Sequence, residues 1–492
     1  MLIFLLIIPL LGSLFCWIFG RQYYKFARFF ALSTVICLLV LSGLIWFKYF
    51  YHYNLQLYHT YWNDELIIPW IPQLGIDLHL AIDGLSFMMV VLTSILGVVA
   101  ILCSFYEKKQ NEGLFYFNLL FMMFGTIGVL LSIDLFLFFC FWEIMIIPMY
   151  FLIIFWGHPK YTKKQKIYTA NQFLIYTQIS SMIMLFSILL LSYNYYYQTN
   201  IWTFDYNRFI NYSIPLPLEY IIMLGFFVAF AVKMPIVPFH GWLLNCHSQS
   251  SVDGSFDLLG MLIKVSAYGL LRFNMHLFKN SSNHFYFVII TLGIVTIFYG
   301  AWMAFCEVNI KKIIAYSSIS HMGFILITIY CNNVFAYYGA IIQIIFGSFT
   351  TSAIFVLLSQ LYRCTKTNII TQMGGLYSHV NWIPSFFLFF LFANLNLPGT
   401  INFVGEVMAL TGIFIYEPYI GCILVFSLFF SVIYSLNIVH KMFYGPVKNN
   451  DSMDFRQINC VEFFIIFLFI VITLILGIYP NNILQIVKFS IE

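Results

Sequence analysis

The sequence predicts an all-α integral membrane protein with about fourteen transmembrane helices, and three observations indicate this fold class. Of the 492 residues, 62% are hydrophobic and only 9% are charged, which is too little polar surface for a water-soluble domain. Apolar runs of about 20 residues, the length that crosses a bilayer, recur from end to end. These runs lack the polar and apolar alternation of barrel strands, so their backbone amides must be bonded within helices.

The charged and turn-rich segments between the apolar runs set the helix positions, numbered here 1 to 14. The N-terminal region, residues 1–113, holds helices near 2–19, 29–50 and 85–106. A first group of five (114–273) lies near 114–133, 134–156, 171–193, 218–240 and 255–273. A second group of five (285–440) lies near 285–304, 311–330, 335–361, 382–414 and 417–440. Residues 441–492 form a loop and a last helix near 459–479.

The basic residues predict how the chain is oriented. Of 23 Lys and Arg residues, 16 lie in loops that follow odd-numbered helices, and five lie in even-numbered loops and the C-terminus. Because positively charged loops stay in the cytoplasm or matrix, both termini are expected on the opposite side. An even number of crossings, such as fourteen, satisfies this.

Four ionisable residues interrupt apolar helices: Glu143, Lys233, Lys264 and Glu406. None is predicted close to a helix end. A charge at mid-membrane costs about 2.5 to 3.5 kcal/mol, so a chain that keeps four must gain from them. One alternative is that each carboxylate pairs with a lysine only to hold helices together, although buried pairs seldom add net stability. We interpret the four as a proton relay.

Predicted helix 7 is broken, because Pro235 and Pro238 remove backbone donors within one turn. Lys233, His240 and His247 follow at intervals of seven and would form one column on a straight helix. Such a column would extend about 21 Å along the helix axis. Either histidine alone is equally consistent with a hydrogen-bonded residue at a loop or helix end.

Predicted helix 12 repeats this pattern. Pro398 and Gly399 interrupt it within the membrane, and Asn402 and Glu406 are four residues apart on one face. Interrupted helices at corresponding positions of two repeated halves indicate a transport pathway. We therefore predict two five-helix repeats, inverted because an odd number of crossings starts the second on the opposite side.

The segment between the two broken helices contains Ser317 and His321 on one predicted face. Hydroxyls can hold an internal chain of water molecules, and imidazole can transfer a proton near neutral pH. The alternative is that both side chains hydrogen-bond neighbouring helices, as is common in membranes.

Metal, cofactor and nucleic-acid sites are not indicated. The ten cysteines form no C-x-x-C pair or cluster, so neither zinc nor an iron–sulfur centre is expected. A net charge of +4, widely dispersed, does not suggest nucleic-acid binding.

Four segments resemble one known family, the antiporter-like subunits of NADH:ubiquinone oxidoreductase (respiratory complex I), and chain 4 in particular. They are FWEIMIIPMYFLI (141–153), KMPIVPFHGWL with LIKVSAYGLLR (233–272), KKIIAYSSISHMG (311–323) and ANLNLPGTINFVGE (393–406).

The resemblance implies a proton-translocating subunit of that enzyme. By this resemblance, Glu143 corresponds to the family's carboxylate on helix 5. Lys233 and Lys264 correspond to its lysines on helices 7 and 8, and Glu406 corresponds to its acidic residue on helix 12. NADH, FMN, iron–sulfur clusters and ubiquinone are then expected in partner subunits, and neighbouring antiporter-like chains and lipids as contacts. The implied location is the mitochondrial inner membrane with both termini in the intermembrane space, or a bacterial inner membrane if the chain is not organellar.

The chain departs from the family pattern at several positions. Gln249 and Ser251 replace an acidic residue and a proline, and Asn309 replaces an aspartate. The histidine expected near Ser348 on helix 11 is absent, so the link from Lys264 towards Glu406 is expected to rely on His321 and water.

Two other functions are consistent with the same residues. A subunit of a multisubunit sodium/proton antiporter would share most of these motifs. A structural membrane scaffold would keep the four charges only as fixed pairs.

Overall fold

The computed structural model describes residues 1–21, 24–48, 62–105, 109–251, 259–378, 382–446 and 460–488. Within these ranges eleven continuous spans are long and apolar enough to cross a membrane. The predicted helices 8, 12 and 14 correspond to shorter helices. The predicted fold class, an all-α membrane protein, is confirmed.

The N-terminal part contains α1 (Leu2–Gly20), α2 (Tyr24–Trp46) and α3 (Gly84–Ser104). Between α2 and α3 lies an antiparallel hairpin of β1 (Asp64–Ile71) and β2 (Ile76–Ile82), where only a loop was predicted. The strands are joined by a turn that ends at Gly75 with φ +62°, a left-handed conformation that glycine adopts without strain.

The first predicted group of five crossings spans α4 to α12. Its helices are α4 (Glu112–Leu131), α5 (Leu135–Ile144), α6 (Ile146–Trp156), α7 (Lys163–Thr199), α8 (Tyr206–Ile210), α9 (Leu216–Lys233), α10 (Gly241–Gln249), α11 (Leu259–Gly269) and α12 (Met275–Leu277). A π-helical turn, Leu270–Asn274, joins α11 to α12.

The second group and the C-terminal part complete the bundle. They comprise α13 (Lys279–Cys306), α14 (Ile310–Tyr330), α15 (Val334–Thr365), α16 (Ile383–Asn394), α17 (Ile401–Tyr416), α18 (Pro418–Phe443), α19 (Cys460–Ile478) and α20 (Asn481–Lys488). The inverted relation of the two groups remains a prediction.

Both predicted helix breaks are present, and a third was not predicted. α9 ends at Lys233 before the two prolines, and a connection of six residues separates α16 from α17. The unpredicted break divides the fifth crossing at Met145, between α5 and α6. Pro148 lies one turn later and has no N–H to donate to the carbonyl of Ile144, so one hydrogen bond of the α-helix is missing at this break.

α15 forms the centre of the bundle, with 94% of its most apolar window buried. α17 packs along one side of α15, and α14 packs between α15 and α13. In α1, α2 and α18 only about a third of the most apolar stretch is buried in the protein, and the side chains that face outward are apolar. An apolar exterior around a polar interior is the arrangement expected when lipid is the solvent.

Three ion pairs tie distant helices together near their ends. They are Arg28 with Glu112 at 2.5 Å, Arg363 with Glu462, and the buried pair of Arg272 with Asp83. The Asp83 carboxylate also accepts a hydrogen bond from the Ser86 amide and so caps α3. These six charged residues therefore have a structural role, since each is neutralised by its partner in an ion pair.

Candidate functional site

The first buried lysine, Lys233, rests on an aromatic ring. It is the last residue of α9, and its side chain is 2% exposed. Its Nζ has no hydrogen-bond partner in the part of the chain that the structure describes. Instead Nζ lies 3.5 Å from the centroid of the Trp142 ring. A desolvated cation–π contact of this kind contributes about 2 kcal/mol.

Glu143 follows Trp142 in α5. Its carboxylate is near enough to attract the Lys233 ammonium, but the two side chains form no direct ion pair among the described residues. Its Oε1 is buried and also lacks a hydrogen-bond partner there. Both residues lie next to helix breaks inside the bundle, so neither is at a helix end from which its side chain could extend to the membrane surface. The prolines that follow each of them end the helices within the membrane.

A cavity with room for about one or two water molecules lies between α10, α11, α14, α15 and the connection from α16 to α17. It contains side chains that can donate, accept or exchange protons, together with two amide-bearing residues beside the broken helix. Its lining includes Lys264, His321, His247, Ser318, Gln343, Thr351, Asn394, Asn396 and Asn402. Most of its wall surface is apolar, and these polar side chains supply the hydrogen-bond partners that a water molecule in it would need.

Lys264 and His321 meet in this cavity. The Lys264 side chain is 3% exposed, and its Nζ approaches α15 so closely that a Cβ at Gly347 would lie 3.2 Å away. The Nε2 of His321 is buried and has no hydrogen-bond partner in the described ranges. Two titratable groups, Lys264 and His321, therefore line the same cavity.

Asn402 connects the second broken helix to the cavity. Its Nδ2 donates to the Thr350 Oγ1 at 3.2 Å and to the Ala393 carbonyl at 3.1 Å. Its own carbonyl accepts from the Gln343 Nε2 at 2.9 Å. The Oδ1 remains buried with no partner among described residues, which leaves an acceptor for water at the cavity wall.

Glu406 lies one turn after Asn402 on α17, as predicted, and is 7% exposed. It does not itself line the cavity. Asn396, which does, lies close to the Glu406 side chain. A single amide therefore separates this carboxyl group from the cavity that Lys264 lines.

The predicted column of Lys233, His240 and His247 is not formed. The seven-residue spacing assumes a continuous helix, whereas residues 234–240 form turns between α9 and α10. His247 lines the cavity with its ring stacked on Phe355, the centroids 4.9 Å apart. His240 instead lies 4.9 Å from the ring of Tyr299.

Ser317 is also not part of the cavity lining. Its hydroxyl donates to the Ile314 carbonyl at 2.8 Å and hydrogen-bonds Tyr434 of α18. On a helix of 3.6 residues per turn, Ser317 and Ser318 flank His321 on opposite sides. The cavity lies on the Ser318 side, so the neighbouring serine takes the position predicted for Ser317.

The sequence prediction missed several amides of the cavity. They are Gln343, Asn394 and Asn396. A signal was available, because a carboxamide inside an otherwise uncharged apolar helix needs a partner within the protein. That signal does not reveal which helices meet, so sequence alone could not group these residues with Lys264.

Outside the membrane, His158 is a buried titratable residue beneath α10. Burial, together with the charges of Lys311, Lys160 and Lys166, lowers the pKa of His158 to about 4. Its backbone N–H donates to the Gln249 carbonyl at 2.8 Å. The imidazole is therefore neutral at physiological pH, and the backbone N–H of His158 contacts the end of α10.

Comparison with known proteins identifies the family. Residues 132–432 match a family model described as "NADH:quinone oxidoreductase/Mrp antiporter, TM". The chain is 46% identical to NADH-quinone oxidoreductase subunit M of Escherichia coli K12, over 98% of this chain and 95% of that protein. It belongs to the subunit M, or chain 4, family. Subunit M of Buchnera aphidicola (subsp. Acyrthosiphon pisum) is 47% identical over 99% of this chain and 96% of its own length.

Solved structures agree with this membership at the level of the fold. A chain of respiratory complex I from Thermus thermophilus superposes with a TM-score of 0.86 at 21% identity, with complete coverage of both chains. A chain of the Mrp complex from Dietzia reaches 0.84 at 16% identity, over 99% of this chain and 96% of that one. The fold is thus shared by chains of respiratory complex I and of the Mrp complex, and the sequence identity places this chain with subunit M.

Within the described residues, no group of three His, Cys, Asp or Glu side chains comes close enough to hold a metal ion. That this subunit M family member carries no cofactor of its own remains a prediction from the sequence.

Proposed function

We propose that this chain is a proton-translocating membrane-arm subunit of an NADH:quinone oxidoreductase. The observation that carries the proposal is the cavity in which Lys264 and His321 meet inside an apolar bundle. Ionisable groups within a membrane that face a water-sized polar space are typical of proton pathways. The high identity to subunit M, over nearly the full length, gives the enzyme to which the pathway belongs.

The roles follow from the positions of the side chains. Glu143, on α5, modulates the charge of Lys233 at the end of α9. Protons pass between Lys264 and His321 through water in the cavity, since imidazole exchanges protons near neutral pH. Glu406 exchanges protons with the far aqueous side through the amides beside the second break.

The energy for transport comes from elsewhere in the complex. Moving one charge against 100 mV requires about 2.3 kcal/mol, and the described residues provide no reaction that releases it. We expect NADH, FMN, iron–sulfur clusters and ubiquinone in partner subunits. Neighbouring antiporter-like chains would then transmit the redox energy to this one.

A bacterial inner membrane is the location that the comparisons favour. The bacterial relatives are 43% to 48% identical to this chain, whereas the chloroplastic chain 4 of Chara vulgaris is 34% identical. The mitochondrial inner membrane, expected from the resemblance alone, therefore becomes the second choice.

Pumping by the assembled complex tests the function. Lys264→Met and Glu406→Gln would be introduced in a bacterium that lacks its own subunit M, with Lys312→Met as the control because Lys312 is a third exposed and pairs with Glu307 at the surface. Inverted vesicles that oxidise NADH would be assayed for acidification and for oxidation rate. Both pathway variants should lose about 90% or more of the proton gradient, as loss of an essential acid–base group costs about 100-fold or more.

Assembly is controlled by native gels and by NADH:ferricyanide activity, which needs only the peripheral arm. Wild-type proton-to-electron ratios in both pathway variants would overturn the proposal. Sodium-dependent proton exchange, without copurifying flavoprotein subunits, would instead favour the sodium/proton antiporter.

A further inference from the structure

Lys311 is a buried lysine that the proposed pathway does not use. It lies in the first turn of α14, and its side chain is 2% exposed. Its Nζ is 3.2 Å from the Ser250 carbonyl, 2.9 Å from the Ser250 Oγ and 3.1 Å from the Ser251 carbonyl. One ammonium group therefore binds three oxygens at the end of α10.

The Lys311 ammonium is stabilised by the C-terminal end of α10 and not by α14, the helix to which Lys311 belongs. The first turn of a helix carries positive partial charge, so a lysine at the start of α14 is unfavourable there. The last turn of a helix carries negative partial charge on its free carbonyls, and Ser250 is the residue that caps α10. The Lys311 side chain thus extends from the start of α14, where a positive charge is unfavourable, to the end of α10, where it is favourable.

Two hydrogen bonds connect Lys311 to the cavity. The Lys311 ammonium donates to the Ser250 Oγ, and that hydroxyl donates to the His247 carbonyl at 2.8 Å. His247 is one turn before the cap, and its ring lines the cavity. His321 lies on α14 itself. Lys311 therefore joins the two helices that carry the imidazoles of the cavity.

We infer that Lys311 is a positioning residue for proton transfer. Its charge fixes the last turn of α10, and through Ser250 it holds the His247 ring against the cavity. This inference rests on the proposed function, because the position of His247 matters only if the cavity conducts protons. Lys311 itself stays outside the cavity and exchanges no proton there.

A second contact allows the role of the charge to be tested separately from folding. The His158 amide donates to the Gln249 carbonyl at 2.8 Å, and this bond does not involve Lys311. Loss of the ammonium should therefore leave α10 attached but less precisely placed. A displacement of about 1 Å can reduce a rate by about 100-fold, so a small shift of His247 is sufficient.

The experiment compares four variants in the assembled complex, assayed as NADH-driven acidification of inverted vesicles. Lys311→Met keeps the length of the side chain but removes its charge, and Lys311→Arg restores the charge. Lys312→Met is the matched control, since the neighbouring lysine points to the surface. Lys264→Met reports independently on the proposed function.

We expect Lys311→Met to assemble normally and to lower the proton-to-electron ratio by about twofold or more. Lys311→Arg should recover most of it, whereas a lysine that only fills space would be replaced adequately by methionine. Normal pumping in Lys311→Met, with pumping lost in Lys264→Met, would overturn this inference alone. Normal pumping in both would overturn the proposed function as well.

Discussion

At the scale of single residues, the two buried lysines have different surroundings. Lys233 lies on the face of Trp142, and Lys264 faces a cavity beside Gly347. The sequence alone predicted that both are buried, because each interrupts an apolar run. It could not predict these contacts, since they are made by helices far apart in the chain.

Gly347 provides a test of the space around the Lys264 ammonium. A Cβ at this position would lie 3.2 Å from Nζ, closer than an ordinary van der Waals contact. The flexible lysine should move away, so Gly347→Ala is expected to assemble but to pump several-fold more slowly. The measurement is vesicle acidification per NADH oxidised.

Gly43→Ala is the matched control for this substitution. Gly43 is also a helical glycine, on α2, and nothing lies within 4 Å of a Cβ built there. It should pump at the wild-type rate. Equal pumping by both alanine variants would show that the position of Lys264 Nζ does not limit proton transfer.

The site prediction was most accurate where a residue's chemistry alone decides its environment. His321 and Asn402 lie at the cavity because both carry polar groups that apolar neighbours cannot satisfy. Ser317 was misplaced because serine can donate to its own helix, as it does to the Ile314 carbonyl. A residue with a local partner gives little information about the tertiary fold.

At the scale of elements, proline and glycine predicted the helix breaks well. Pro235 and Pro238 follow the end of α9, and Pro398 and Gly399 lie between α16 and α17. The break at Met145 was missed because a single proline, Pro148, can also be accommodated in a kinked but continuous helix. The local sequence thus indicates where a helix break is possible, and the packing of the surrounding helices determines whether the break forms.

The loop between α16 and α17 should depend on the conformation of Gly399. Its φ is +94°, and nothing lies within 4 Å of a Cβ built there. Gly399→Ala is therefore expected to destabilise the protein through backbone strain alone, by about 1 to 2 kcal/mol. The midpoint of thermal unfolding in detergent would measure this effect. Gly43→Ala should raise or preserve that midpoint, because alanine favours a helix.

The hairpin of β1 and β2 is attached through His79. Its ring nitrogens lie 2.7 Å from a Glu65 oxygen and 3.3 Å from an Asp205 oxygen. Burial lowers the pKa of His79, but the hydrogen bonds and charges of Asp205 and Glu65 outweigh it and raise that pKa above its ordinary value. The hairpin was not predicted, because its strands read as part of a long loop.

This raised pKa makes the hairpin sensitive to pH. A histidine whose pKa is higher in the folded state stabilises it fully below about pH 6.5, and the stabilisation is lost as the pH rises through the folded value. Hydrogen exchange of residues 64–82, corrected for the intrinsic rate, should therefore quicken between about pH 6 and about pH 8. His79→Gln should abolish this dependence, and a dependence that persists would assign it to another group.

At the scale of the whole molecule, composition and hydropathy predicted the architecture. The eleven long apolar helices of the described residues fall at positions predicted from the sequence, since a crossing requires about 20 apolar residues in succession. The arrangement of the crossings could not be predicted, because lipid-facing and protein-facing side chains are both apolar. The central position of α15 is evident only from its burial.

The orientation predicted from the basic loops can be tested at the two ends of α7. Lys160 precedes this helix and Asn200 follows it, and both are exposed. In a variant whose native cysteines are replaced, Lys160→Cys should react with an impermeant maleimide only from the cytoplasm, and Asn200→Cys only from outside. Equal labelling after permeabilisation is the control. The reverse pattern would show that the positive charges do not set the topology.

The length of α7 also determines where its ends lie in the bilayer. Its 37 residues correspond to about 56 Å, nearly twice the hydrocarbon thickness of about 30 Å. Even a 40° tilt would leave about 43 Å along the bilayer normal, comparable with the full thickness including headgroups. Lysines occupy one end of α7 and tyrosines the other, and both prefer the interface. The apolar part of α7, near 171–193, is about as long as the hydrocarbon core is thick, so the polar ends of the helix should extend through the headgroup regions on both sides of the bilayer.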